Sequence, residues 1–111
     1  MKIAIAVFGT KVSPRFDLSP EFWMITAENS KVVHQERIST GRLDISQRME
    51  QLVLSGVNKL ICGGIHDFSL DQLENRGIDV FHNVIGEAKI ALTHCLKGEL
   101  QVGSRCEKRK D

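Results

Sequence analysis

Residues 2–8 read KIAIAVF, apolar at every position after the lysine. A strand with one face in water alternates apolar and polar residues. A run with no alternation belongs to a strand covered on both faces, the position of a central strand in a parallel sheet flanked by helices. The rest of the chain must then supply the covering helices, and its periodicity changes where they are needed. Phe22–Ala27 and Lys31–Ile38 have strand character about the turn Glu28-Asn29-Ser30, where Asn tolerates the left-handed backbone of a hairpin. Asp44 with Gln47 then makes a capping-box start, Ile45, Met49, Leu52 and Val53 share one helical face, and Gly56 is the natural stop. Asn58–Cys62 is a short strand. Ser69 with Gln72 opens a second helix, carried by Leu70 and Leu73 and ended by Gly77. Ile78–Phe81 is another strand. Gly86 opens a last helix whose Ala88, Ala91, Leu92 and Cys95 share a face, with Gly98 at its end.

The order strand, hairpin, helix, strand, helix, strand, helix predicts an α/β domain. Right-handed crossovers set the strands at 2–8, 58–62 and 78–81 parallel, and the hairpin extends one side of the sheet. Gly9–Pro20 reads as a loop. Ligands of such a sheet bind beyond the carboxyl ends of its parallel strands. Three segments meet there: Phe8–Lys11, Cys62–His66 and His82–Gly86.

Composition bounds the function. Fifteen basic residues face fourteen acidic ones, a net charge of +1, which gives no global drive toward nucleic acid or a membrane surface. IAIAVF is too short for the apolar region of a signal peptide, and no stretch approaches the roughly 18 apolar residues of a bilayer span. Three cysteines form no disulfide framework, so a reduced, cytoplasmic protein is expected. The last nine residues, GSRCEKRKD, carry four basic and two acidic groups. They read as a basic, flexible tail at 103–111 after a domain at 1–102, with Cys106 as an exposed thiol of lowered pKa.

The segment ICGGIHDFSL at 61–70 leaves several readings open. Two glycines between strand and helix permit a sharp turn, with Cys62 as a small core residue. Cys62, His66 and His82 lie on neighbouring strand ends, and thiolate with imidazole suits zinc, copper or iron–sulfur units. Cys62 as nucleophile with His66 as base is a third reading, with Gly63 and Gly64 amides as oxyanion donors. The same amides, with Lys11 and Arg15, make an anion site possible. The first strand carries no acid to hold a metal ion, which argues against phosphoryl-transfer chemistry of the nuclease kind. Cys95 falls on an apolar helix face and reads as a packed thiol.

Across nearly all of residues 1–102 the chain resembles the dinitrogenase iron–molybdenum cofactor biosynthesis family. The features that carry the likeness are the start MKIA, the loop VSPRF, the GGI turn after a strand, RGIDV before the next strand, and the G-E-A start of the final helix. The resemblance implies a ribonuclease H-like fold: a five-stranded mixed sheet with one antiparallel hairpin strand and three helices on both faces. It also implies a non-enzymatic carrier or scaffold that binds iron–molybdenum cofactor or another anionic metal–sulfur cluster, with a client metalloprotein as partner and no nucleic acid or membrane. Many relatives have a glycine- and histidine-rich loop before the first helix, where this chain has STGRLD at 39–44. Many have histidine in the VSPxF loop, where this chain has Arg15. The expected ligands are then Cys62 and His66, assisted by His82, with Arg15 and the amides of Gly63, Gly64 and Gly86 holding the cluster's charge. The alternative is a metal-free protein-interaction or small-anion sensing module on the same fold.

Overall fold

A computed structural model describes residues 1–108. Its strands are β1 (Lys2–Phe8), β2 (Lys11–Val12), β3 (Glu21–Glu28), β4 (Lys31–Ser39), β5 (Lys59–Ile61), β6 (Asp79–Phe81), β7 (Ile85–Gly86) and β8 (Arg105–Cys106). Its helices are α1 (Ile45–Leu54), α2 (Asp67–Asn75) and α3 (Ala88–Leu96). The main sheet runs β4-β3-β1-β5-β6, with β2 paired to the end of β1. β1, β5 and β6 are parallel, and β3 runs antiparallel to both of its neighbours, so it is the antiparallel hairpin strand.

The alternation along β1 shows why no position in it is polar. Ile3, Ile5 and Val7 enter one core with Trp23, Ile25, Ala88, Ala91, Leu92 and Cys95 of β3 and α3. Ala4 and Ala6 enter the other with Phe22, Leu52, Leu60 and Leu73, under α1 and α2. Each face of β1 is sealed by a different helix layer, and burial of its apolar surface at about 25 cal/mol per Å² drives both.

α1 starts as its sequence indicates. The Asp44 side chain accepts from the Gln47 amide, and the Gln47 side chain accepts from the Asp44 amide. α2 differs: its N-cap is His66, and Ser69 is buried inside the helix. The stretch read as loop between Gly9 and Pro20 contains β2 and a 3-10 turn at Phe16–Leu18. The chain after α3 also departs from expectation. Arg105–Cys106 pairs in parallel with Ile85–Gly86, and Cys106 is fully buried in the α3-side core. Cys106 is therefore not the exposed, acidified thiol expected of it; desolvation pushes its pKa up. The signal was hidden because a two-residue strand has no periodicity to read. Residues 109–111 of the basic tail lie outside the described residues.

Candidate functional site

Of the three segments predicted to meet beyond the carboxyl ends of β1, β5 and β6, Cys62–His66 and His82–Gly86 meet directly, and the β1 end joins them through residues just beyond the predicted bounds, chiefly by backbone bonds. The Gly64 amide donates to the Pro14 carbonyl at 2.7 Å, and the Phe16 amide donates to the Gly64 carbonyl at 2.8 Å. The Asn83 amide donates to the Gly63 carbonyl at 2.9 Å, and the Ala88 amide to the Thr10 carbonyl at 2.9 Å. A Cβ on Gly63 would overlap the carbonyls of Ser13 and Pro14; one on Gly86, whose φ is +114°, would overlap the carbonyl of Cys106. These glycines admit neighbouring segments of the same chain. The Gly64 amide, expected to face a cluster, is occupied by Pro14.

Arg15, Asp17, Gly64, Ile65 and His66 line a shallow depression of about 220 Å³ at this edge. Arg15 grips Asp17 with two bonds, Nε to Oδ1 at 3.0 Å and Nη2 to Oδ2 at 2.6 Å. The His66 Nε2 lies 3.9 Å from Asp17 Oδ2, with 74% of the His66 side chain exposed. Hydrogen bonding from Arg15 is the main reason the Asp17 carboxyl titrates below its ordinary range. Arg15, Gly64 and His66 are thus gathered in one place. A second depression of about 420 Å³ lies across Pro14, lined among others by Lys11, Gly86, Glu87 and Cys106.

The remaining expected ligands lie elsewhere. Cys62 has no exposed surface and packs with Ala4, Ala6, Phe16 and Phe22; burial pushes its thiol up to about 12. A thiol so enclosed presents no thiolate to a cluster or a substrate, so the ligand and nucleophile readings of Cys62 give way to the core reading. His82 is half-buried, its Nδ1 3.1 Å from the Asn83 side-chain amide and its carbonyl bonded to the Gly103 amide. Among the described residues no three His, Cys, Asp or Glu side chains are placed to hold a metal ion. Cys62, His66 and His82 do not form one ligand set. The edge presents a guanidinium paired with Asp17 and one exposed imidazole, and among the described residues it does not fit a metal enclosed by three side-chain donors.

One residue of this neighbourhood was not found in the sequence. Arg48 is only 2% exposed. Its Nε donates to the Leu43 carbonyl at 3.2 Å, and its Nη1 reaches the Ser19 carbonyl at 2.7 Å, Ser19 Oγ at 3.0 Å, Thr40 Oγ1 at 3.3 Å and the Phe16 carbonyl at 3.4 Å. The available signal was an arginine at the i+3 place of the apolar face begun by Ile45 and continued by Met49 and Leu52.

The geometry has close counterparts among solved structures. PH0822 superposes with a TM-score of 0.84 at 20% identity, over 92% of this chain and 94% of that one. MJ0327 from Methanocaldococcus jannaschii gives 0.77 at 22% identity, over 91% of this chain and 92% of that one. The apo form of the orange protein from Desulfovibrio gigas gives 0.77 at 21% identity, over 91% of each chain. At these identities the likeness establishes a shared fold. No curated protein matches the sequence. The family model described as dinitrogenase iron–molybdenum cofactor matches residues 1–98. With nearly the whole domain matched, this chain belongs to the dinitrogenase iron–molybdenum cofactor family.

Proposed function

We propose that the protein is a non-enzymatic carrier or scaffold for an anionic metal–sulfur cofactor of the iron–molybdenum type, held at the carboxyl edge of the sheet and passed to a client metalloprotein. Family membership supports the class of cargo. The observation that carries the location is the gathering of Arg15 and His66 in one open depression with Gly64. The exposed His66 imidazole offers a ring nitrogen for a metal, and Arg15 retains N–H groups beyond those given to Asp17, suited to sulfide or oxo groups. The state of the thiols argues against a thiol-dependent reaction: Cys62, Cys95 and Cys106 are all buried, and burial raises the pKa of each.

The test is anaerobic incubation with tetrathiomolybdate and iron, followed by elemental analysis and an absorption spectrum. Wild type should take up metal stoichiometrically, His66→Ala should lose it, and Cys62→Ala should retain it. A wild-type protein that stays colourless and metal-free overturns the carrier reading. Loss of uptake in a folded Cys62→Ala variant would return the thiol to the ligand set.

A metal-free interaction module is favoured by a separate observation. Phe8, Leu18, Phe68 and Ile85, all more than half exposed, lie in the segments that border this edge. Capture of a protein partner lost in Phe68→Asp, with no metal uptake, would support that reading.

A further inference from the structure

The ion pair between Arg15 and Asp17 presents a difficulty for an anion site, because the two charges cancel. Arg48 resolves it. Its guanidinium lies behind the same turn, and every partner it has is a neutral oxygen. Among the described residues no carboxylate lies within ion-pair distance of it, and Asp17 is the carboxylate that acts on it through space. The carbonyls of Phe16 and Ser19 that it holds bracket Asp17. Thr40 completes the clasp by donating its hydroxyl to the Ser19 carbonyl at 2.7 Å. A methionine at this place on α1 would carry no charge to desolvate, but it would leave the Phe16 and Ser19 carbonyls without this donor.

We infer that Arg48 is a positioning residue for the carboxyl-edge depression: it fixes the turn that presents Asp17 to Arg15, and its buried charge, added to that of Arg15 against the single carboxylate of Asp17, gives the depression its net attraction for anions. Held away from water, that charge is weakly screened and acts through the turn. Asp17 opposes Arg15 directly and Arg48 through the turn, so the two guanidiniums together exceed this one carboxylate. The inference rests on reading the depression as the cargo site, and it assigns that site's preference for negative charge to a side chain that touches no cargo.

The experiment compares Arg48→Met, Arg48→Lys and Arg48→Gln in the full chain by nuclear magnetic resonance. In cofactor-free protein, the Arg15 Nε–H resonance reports its bond to Asp17. It should be sharp in wild type and shifted or broadened in the Met and Gln variants. Tetrathiomolybdate is then titrated while the backbone amides of Ile65 and His66 are followed. Affinity should fall at least tenfold in Met and Gln and recover most of the way in Lys, which keeps the charge without the planar fork. Should the Met variant not fold, Lys against Gln makes the same comparison. Equal affinity in Lys and Gln variants overturns the charge role, and an unchanged Arg15 resonance in all three overturns the positioning role. If wild type shows no tetrathiomolybdate shifts, the carrier reading and the charge role fail together, and the Arg15 resonance still decides the positioning role.

Discussion

The Gly64 amide donates to the Pro14 carbonyl at 2.7 Å, and the Phe16 amide returns to the Gly64 carbonyl at 2.8 Å. This reciprocal clasp turns a Gly-Gly turn that resembles an anion cradle into a joint between the β1 and β5 ends. Its purpose is to hold Arg15 over α2's entry, where His66 stands. The glycines therefore serve the site indirectly, by letting the Arg15 loop lie flat against the turn.

Crowding at that joint should separate two adjacent substitutions. Gly63→Ala places a methyl group against the Ser13 and Pro14 carbonyls, while a Cβ on Gly64 would lie 3.3 Å from the Pro14 carbonyl oxygen. Overpacking at a backbone contact costs about 1–3 kcal/mol. Urea denaturation should show Gly63→Ala in that range and Gly64→Ala well below it. Equal losses would mean that the loop shifts freely.

The thiols should be inert in the folded state. Cys62, Cys95 and Cys106 are buried and each is shifted upward by desolvation. Alkylation requires thiolate and access. Iodoacetamide at neutral pH should label no cysteine rapidly in native protein and all three in urea, as read by mass spectrometry. Rapid native labelling of Cys106 would show that β8 detaches readily.

Asp17 should make stability depend on acid. Its pKa is depressed on folding, first by the hydrogen bond from Arg15, with desolvation opposing and the Arg15 charge adding. A depressed carboxyl stabilises the folded state above its unfolded pKa, and that contribution is lost as pH falls through the folded value. Thermal melts of wild type and Asp17→Asn should differ most near neutral pH and converge in acid below the unfolded value near 3.8. A gap that widens on acidification would contradict the assignment.

Asp44→Ala removes the side-chain acceptor for the Gln47 amide and leaves the Gln47 side chain without its reciprocal partner. N-cap losses run at about 1 kcal/mol. Chemical denaturation should show about that loss, with cargo uptake unchanged because the cap lies outside the Arg15–His66 depression.

The main sheet, its hairpin and its three helices were legible because each rests on a pattern longer than one turn: the unbroken KIAIAVF run, the Asp44–Gln47 box, the Ala88–Cys95 face. What escaped was short or three-dimensional. β2, β7 and β8 have two residues each, too few for a period. Which groups line the edge was partly legible: Gly64 and His66 sit on a segment whose place follows from strand order, while Arg15 lies beyond the predicted Phe8–Lys11 segment and was singled out only as a charge in the loop after it. The direction of Cys62 was not: it is the last residue before the turn, and only the pleat of β5 sends it inward, onto Ala4 and Phe16. Arg48 was invisible for the opposite reason, since a basic residue on a helix is ordinarily placed in water.

β4 stands apart from everything else in the fold. Of its nine residues only Ile38 is even half-buried, and the register slips between Thr26 and Ala27, where Val33 is the extra residue. It is held by β3 and by a few surface contacts, among them Trp23 Nε1 to Gln35 Oε1 at 3.0 Å and Arg37 stacked 5.5 Å from the Trp23 ring. Peeling it away would wet little apolar surface, whereas moving β1 would open both cores at once. Rigidity is therefore graded across the sheet. Amide exchange in β4 should proceed by local fraying and in β1 only with global unfolding, and β5, which leads into the edge bearing His66, pairs directly with β1.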